Sequence, residues 1–378
     1  MPGNANSIPP LSSTREDNED HYRTLLRTER RWRDIQPWLE SKGYLLRPRY
    51  MPNWKPSWDD EETKLDAEDS QINALLVVMD ATRLSDGELV LLKLVNLSEN
   101  PDEVKTTEYF SAEPLKSHPR NHCVPLLDIL AIPGRTSSDY SVILVFPFLR
   151  RFQDPRMKTV GEVMEFIRQI LEGLQFMHSC HFAHRDAMDL NIMMDPKSMY
   201  PNMFHPIEKS LNRNFKGKAK HSTRTAQPAK YYLIDFGLSR MYDPKNGPPL
   251  DYPVLGGDKS VPEFKKHPRD QYNPFPTDIY YVGNMIQETF LDKTRGLEFM
   301  TTLVADMIQD DPSKRPDIDE VVRRFDVLLR QLRWWTLRSR LVYNDETPFV
   351  SFRRYVTHWI RTTGHILLLR SALPTPKQ

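Results

Sequence analysis

The stretch HFAHRDAMDLNIMMD, residues 181–195, decides how this chain is read. It follows TVGEVMEFIRQILEGLQFMHS, in which Val163, Phe166, Ile167, Ile170, Leu171 and Leu174 recur at helical spacing and make one apolar face. Thr159 and Glu162 form a capping box at the start of that predicted core helix. Upstream, INALLVVMDATRLSDGELVLLKLV (72–95) reads as two apolar runs around Asp86-Gly87, a strong hairpin signal. Lys93 lies on the second run. Residues 101–118 read as helix, and 124–132 and 140–149 as buried strands. The order is a small β-rich part with one helix, then a larger helical part. It predicts an α+β fold with two lobes.

Phosphoryl transfer asks little covalent chemistry of a protein. It needs a cation on the phosphates, carboxylates to hold Mg²⁺ and a carboxylate to orient the attacking hydroxyl. HRDAMDLN (184–191) and DFG (235–237), after a strand lysine and in that order, resemble the protein-kinase family. VPEF (261–264), DIYYVG (278–283) and DPSKRP (311–316) are similar to its later landmarks. The resemblance covers about residues 70–330. LRPRYMPNWKPSW and the long tail are similar, more loosely, to a divergent group of fungal kinase-like proteins.

The resemblance implies a small β-rich N-lobe over 71–149 and a mainly helical C-lobe over 150–332. It implies an enzyme that uses ATP and Mg²⁺ and moves the γ-phosphate to a protein hydroxyl, Ser/Thr in class. Asp186 is then the catalytic carboxylate. Lys93 meets the α- and β-phosphates, with Glu108 preferred over Glu113 as its ion-pair partner. Arg185 accepts a phosphate or an acid from the segment after DFG; Ser239, Tyr242, Tyr252 and Ser260 are the phosphorylatable residues there. Asn191 and Asp235 are the metal ligands. Val78, Ala81, Leu91 and Met193 surround the adenine. Asp278 holds the backbone of the catalytic loop, and Arg315 pairs with Glu263.

Three departures stand out. No glycine-rich loop precedes the hairpin: Gln71, Asn73 and Leu76 fall where its glycines belong, so phosphate cover by backbone N–H groups is weakened or remodelled. Leu91 is larger than the alanine the family places over the adenine. Met188 replaces a catalytic-loop lysine that contacts the γ-phosphate, and the loss of such a cation costs on the order of 10²–10³ in rate. Only 37 positions separate Asp278 from Arg315. That is short for the family, and a helix that often docks partners is missing. The alternative reading is a pseudokinase, a scaffold or binding module of the same fold.

The rest of the chain frames that reading. Hydrophobic residues make up 39% and charged residues 27%, which suits a core of ordinary size. Net charge is +1, so no global field points to a nucleic-acid partner. Two cysteines, Cys123 and Cys180, argue against a disulfide scaffold and for a reducing compartment. With no signal peptide expected, the predicted site is intracellular, cytoplasmic or nuclear. Residues 1–20 are polar and expected to be disordered. Residues 21–70 read as an extension packing on the N-lobe. Residues 196–230 read as a flexible, solvated basic insertion. The tail, 333–378, carries Phe352, Tyr355, Val356, Trp359 and Ile360 on one helical face. Packing on the helical part or on another copy is preferred there over contact with an acidic membrane surface.

Overall fold

A computed structural model describes residues 23–136, 139–254 and 256–377; the expected disorder of residues 1–20 falls outside them. The fold mixes helix and sheet, in two compact units. One contains the chain up to Leu92 together with Phe204–Ala219. The other contains Lys93–Met203 and the chain from Lys220 onward.

In the first unit helix α1 (Arg27–Ser41) buries Trp32 and Leu39. Strand β1 (Tyr44–Leu45) pairs antiparallel with β2 (Val78–Arg83), Tyr44 opposite Arg83. Between them the aromatic strip is held by buried ions. The Arg49 guanidinium donates to both oxygens of Glu29, at 2.7 and 3.1 Å. Tyr50 Oη donates to the same carboxylate at 3.1 Å, and Arg47 grips Asp80 of β2 at 2.9 Å. Asp86-Gly87 turns the chain as predicted: Gly87 adopts a positive φ of 72° and its N–H donates to Arg83 O at 2.8 Å. Strand β3 (Leu89–Asn96) follows and carries the chain into the second unit. Residues 71–77 are not strand. Asn73 is buried and donates to Val78 O at 2.8 Å, while Leu75 and Leu76 are exposed.

Where the sequence reads a solvated insertion, the structure buries side chains. In the first unit His205 Nε2 lies 3.0 Å from Glu68 Oε1, and Arg213 donates to Thr82 and to Gly87 O. In the second, buried Arg224 donates to Phe152 O, Pro155 O and Tyr231 Oη. Spread-out buried arginines have no periodicity, so the pattern gives no warning of them.

The second unit is built on helix α3 (Val160–Ser179), preceded by α2 (Pro101–Ser111), β4 (Asp128–Ala131) and β5 (Tyr140–Pro147). All six predicted α3 face residues are buried. Thr159 caps α3 by accepting from Glu162 N, but Glu162 does not close the box. Its carboxylate takes Lys158 N–H and the Thr225 hydroxyl instead. Helix α2 ends at Ser111 rather than running to 118, because Pro114 disfavours helix in the residue before it. Two-residue strands β6 (Arg150–Arg151) and β7 (Phe182–Ala183) flank α3. Strands β8 (Ile192–Met194) and β9 (Tyr231–Leu233) pair antiparallel, Ile192 opposite Leu233, and β7 pairs with β10 (Arg240–Met241). Helices α4 (Pro274–Ile286), α5 (Ile318–Gln331) and α6 (Pro348–Leu367) are the longest of those that follow. Asn273 and Asp317 cap α4 and α5 with their side chains. No helix among the described residues is long and apolar enough to cross a membrane.

Candidate functional site

The register of β8 and β9 brings the two sequence motifs together. Asn191 ends the turn before β8 and Asp235 follows β9 by two residues. Antiparallel pairing puts both at one end of the ribbon, and Ile234 N–H donates to Asn191 O at 2.9 Å. Asn191 Nδ2 then donates to Asp186 O at 2.9 Å and to Asp186 Oδ2 at 2.8 Å.

Two backbone positions nearby are strained. Arg185 and Asp235 have φ of 67° and 63°, which side chains rarely adopt, at about 1–3 kcal/mol each. Asp278 on α4 fixes the first. Its two oxygens accept the N–H groups of His184 and Arg185, both at 2.7 Å. Asp278 is wholly buried and His178 Nε2 lies 3.0 Å from it.

Lys93 lies on the same face of β3 as Leu91. Its Nζ bonds the Glu103 carboxylate and, at 2.8 Å, Asp235 Oδ1. Burial works against the Lys93 charge, but the two carboxylates outweigh it and hold its pKa above the ordinary lysine value. Burial would raise Asp235, yet the Lys93 ammonium and its hydrogen bond keep that carboxyl below the usual range. Asp186 goes the other way: burial pushes it up, and the Gly257 N–H, His184 and Asn191 only partly offset this.

The expected partner of Lys93 needs correction. Glu108 is exposed, and Glu113 bonds Ser117; Glu103 holds the lysine. On α2 the buried positions are Glu103, Thr106, Thr107 and Phe110, an i, i+3, i+4, i+7 stripe. Read back from Phe110, that spacing selects Glu103 and leaves Glu108 outside. Arg185 meets an acid of the segment after DFG. Its Nη1 lies 3.3 Å from Asp251 Oδ2, and its Nη2 donates to Tyr252 O. The same Asp251 oxygen accepts from Arg240 and from Tyr242 Oη, at 2.6 and 2.8 Å.

Two glycines lie directly on Asp186 and Met188. Gly257 N–H donates to Asp186 Oδ1 at 3.1 Å. A Cβ on Gly256 would stand 2.6 Å from that oxygen, and one on Gly257 would overlap Met188 Sδ. Val78 and Leu91 are half-buried and Ala81 buried in the first unit, and Met193 is half-buried on β8. Arg315 and Glu263 form a buried two-pronged pair at 2.6 and 2.8 Å.

No family model matches the chain. Over 126 residues, 32% of its length, it is 26% identical to Cyclin-dependent kinase D-1 of Arabidopsis thaliana. The matched stretch spans 30% of that kinase. This supports a protein-kinase-like relationship for part of the chain.

Proposed function

We propose that this chain is a protein kinase that moves the γ-phosphate of ATP to a Ser or Thr hydroxyl of a protein, with Mg²⁺. One observation carries the reading: Lys93, Glu103 and Asp235 form an ionic cluster, Asn191 donates to Asp186, and Asp235 and Asn191 stand at the same end of one β-ribbon. Lys93 neutralises the α- and β-phosphates. Glu103 aims that lysine. Asp235 and Asn191 offer hard oxygen donors, and Asp235 is 49% exposed and so reachable. Among the described residues there is no group of three metal-ligating His, Cys, Asp or Glu. Mg²⁺ asks for only one or two carboxylates beside waters and phosphate oxygens, so the donor set fits. Bound there, the ion supplies charge neutralisation on the phosphates.

Asp186 orients the hydroxyl and takes its proton as the oxygen bonds to the γ-phosphorus and the bond to the bridging oxygen of ADP breaks. Its raised pKa suits a base. Asp251 is an acid of the segment after DFG and supplies Arg185 with one of the two kinds of partner, acid or phosphate, that the kinase reading asks for.

A second reading, a binding module without transfer, is favoured by the engagement of both Asp186 oxygens and by Met188. Nucleotide binding separates the two readings. MgATP should raise the melting temperature of wild type, and Asp235→Ala should lose the Mg²⁺-dependent part. No shift at millimolar-scale nucleotide would remove the kinase reading and leave the binding module.

A further inference from the structure

Helix α6 is turned inside out. A helix on a folded core ordinarily buries its apolar stripe and offers polar residues to water. Here the inward residues are polar. Arg354 donates to Glu346 at 2.8 Å, Arg340 donates to Ser351 Oγ at 2.8 Å, and Thr362 is buried. The apolar residues face out. Phe349 is 78% exposed, Phe352 68%, Ile360 69% and Leu367 77%, with Val356 and Trp359 exposed between them. At about 100° per residue these six fall within less than half of the helix circumference. The expected packing of this face on the helical part of the chain is not observed. Single exposed apolar residues are common; a continuous aromatic and aliphatic stripe marks an interaction surface.

Charge selects the occupant. From Thr347 to Gln378 the sequence has no Asp or Glu; Arg354 pairs inward with Glu346, which leaves Arg353, Arg361, Arg370 and Lys377. Arg353 is exposed at the border of the stripe. A second copy docked on this face would set like charges against one another. An anionic surface would be attracted, and aromatic and aliphatic residues beside arginine are what the headgroup boundary accommodates. We propose that α6 lies flat on anionic lipid bilayers, with Phe349, Phe352, Val356, Trp359, Ile360 and Leu367 dipping below the headgroups. The helix lies on the membrane and does not cross it.

Co-sedimentation of the full chain with vesicles tests this. One set is phosphatidylcholine, the other contains about a third phosphatidylserine. Binding to the anionic set is expected to be at least about tenfold tighter and to weaken with salt. Arg353→Ala should weaken it about fivefold. Phe352→Glu and Ile360→Glu, both at exposed positions, should abolish it without changing the melting temperature. Equal binding to both vesicle types, or none by wild type, overturns the proposal. So does concentration-dependent dimerisation of wild type that Ile360→Glu abolishes, which would give the face to a second copy.

Discussion

Lys93 is held by Glu103 and Asp235 together. On the proposed reading Glu103, whose carboxylate bonds Lys93, positions the lysine rather than reacting. Glu103→Gln should lower kcat/KM on the order of 10²-fold, since a preorganised charge contact is lost. Glu108→Gln, at an exposed position, should leave it unchanged. Steady-state kinetics of both variants decides this; equal losses would return the role to Glu108. The difference between these two glutamates is a matter of helical phase, which a motif does not carry but the Glu103–Thr107–Phe110 spacing does. The Gly256–Gly257 contact with Asp186 and Met188 is the opposite case. It joins residues some seventy positions apart with no periodic signal, so only the folded chain reveals it.

At the scale of elements, α3 packs closely on the segment before β4. A Cβ on Gly173 would stand 2.6 Å from the His122 Cβ. His122 is buried, and its Nδ1 lies 2.9 Å from Tyr231 O at the start of β9. Burial lowers its pKa from 6.5 to about 4, helped by Lys230 and Arg168. The folded state thus refuses a proton that the unfolded chain accepts. Stability is intact above about pH 6.5 and falls as pH drops toward 4, by up to about 3 kcal/mol. Urea unfolding across that range should show the loss, and His122→Asn should flatten it. A slope unchanged by the substitution would contradict this. α3 is legible from sequence because one buried face repeats at helical spacing, and β5 because its short apolar run is buried on both faces. The end of α2 and the role of Glu162 are less so, because a proline and a distant threonine decide them.

Within the second unit a long-range ion pair ties distant parts of the chain together. Glu263, in the segment that resembles A-P-E, meets Arg315 fifty-two positions later, with side chains 3% and 0% exposed. Removing one partner leaves a buried charge uncompensated. Glu263→Ala should therefore cost about 3–5 kcal/mol in denaturant unfolding. A loss under about 1 kcal/mol would mean that the pair is not buried in solution. This pairing was legible from sequence, because the kinase-like landmarks VPEF and DPSKRP name both ends. The buried arginine networks of 196–230 and the outward stripe of α6 were not. The first has no period, and the second obeys helical spacing but faces the unexpected way.

The central claim is that Asp186, Asn191, Asp235 and Lys93 form a working phosphotransfer site. Its most direct test is transfer of radiolabelled γ-phosphate from MgATP to the chain itself and to a protein mixture, comparing wild type with Asp186→Asn. The account predicts labelling by wild type that Asp186→Asn abolishes while nucleotide binding persists. Equal labelling by both, or none by a wild type that binds MgATP, would contradict it.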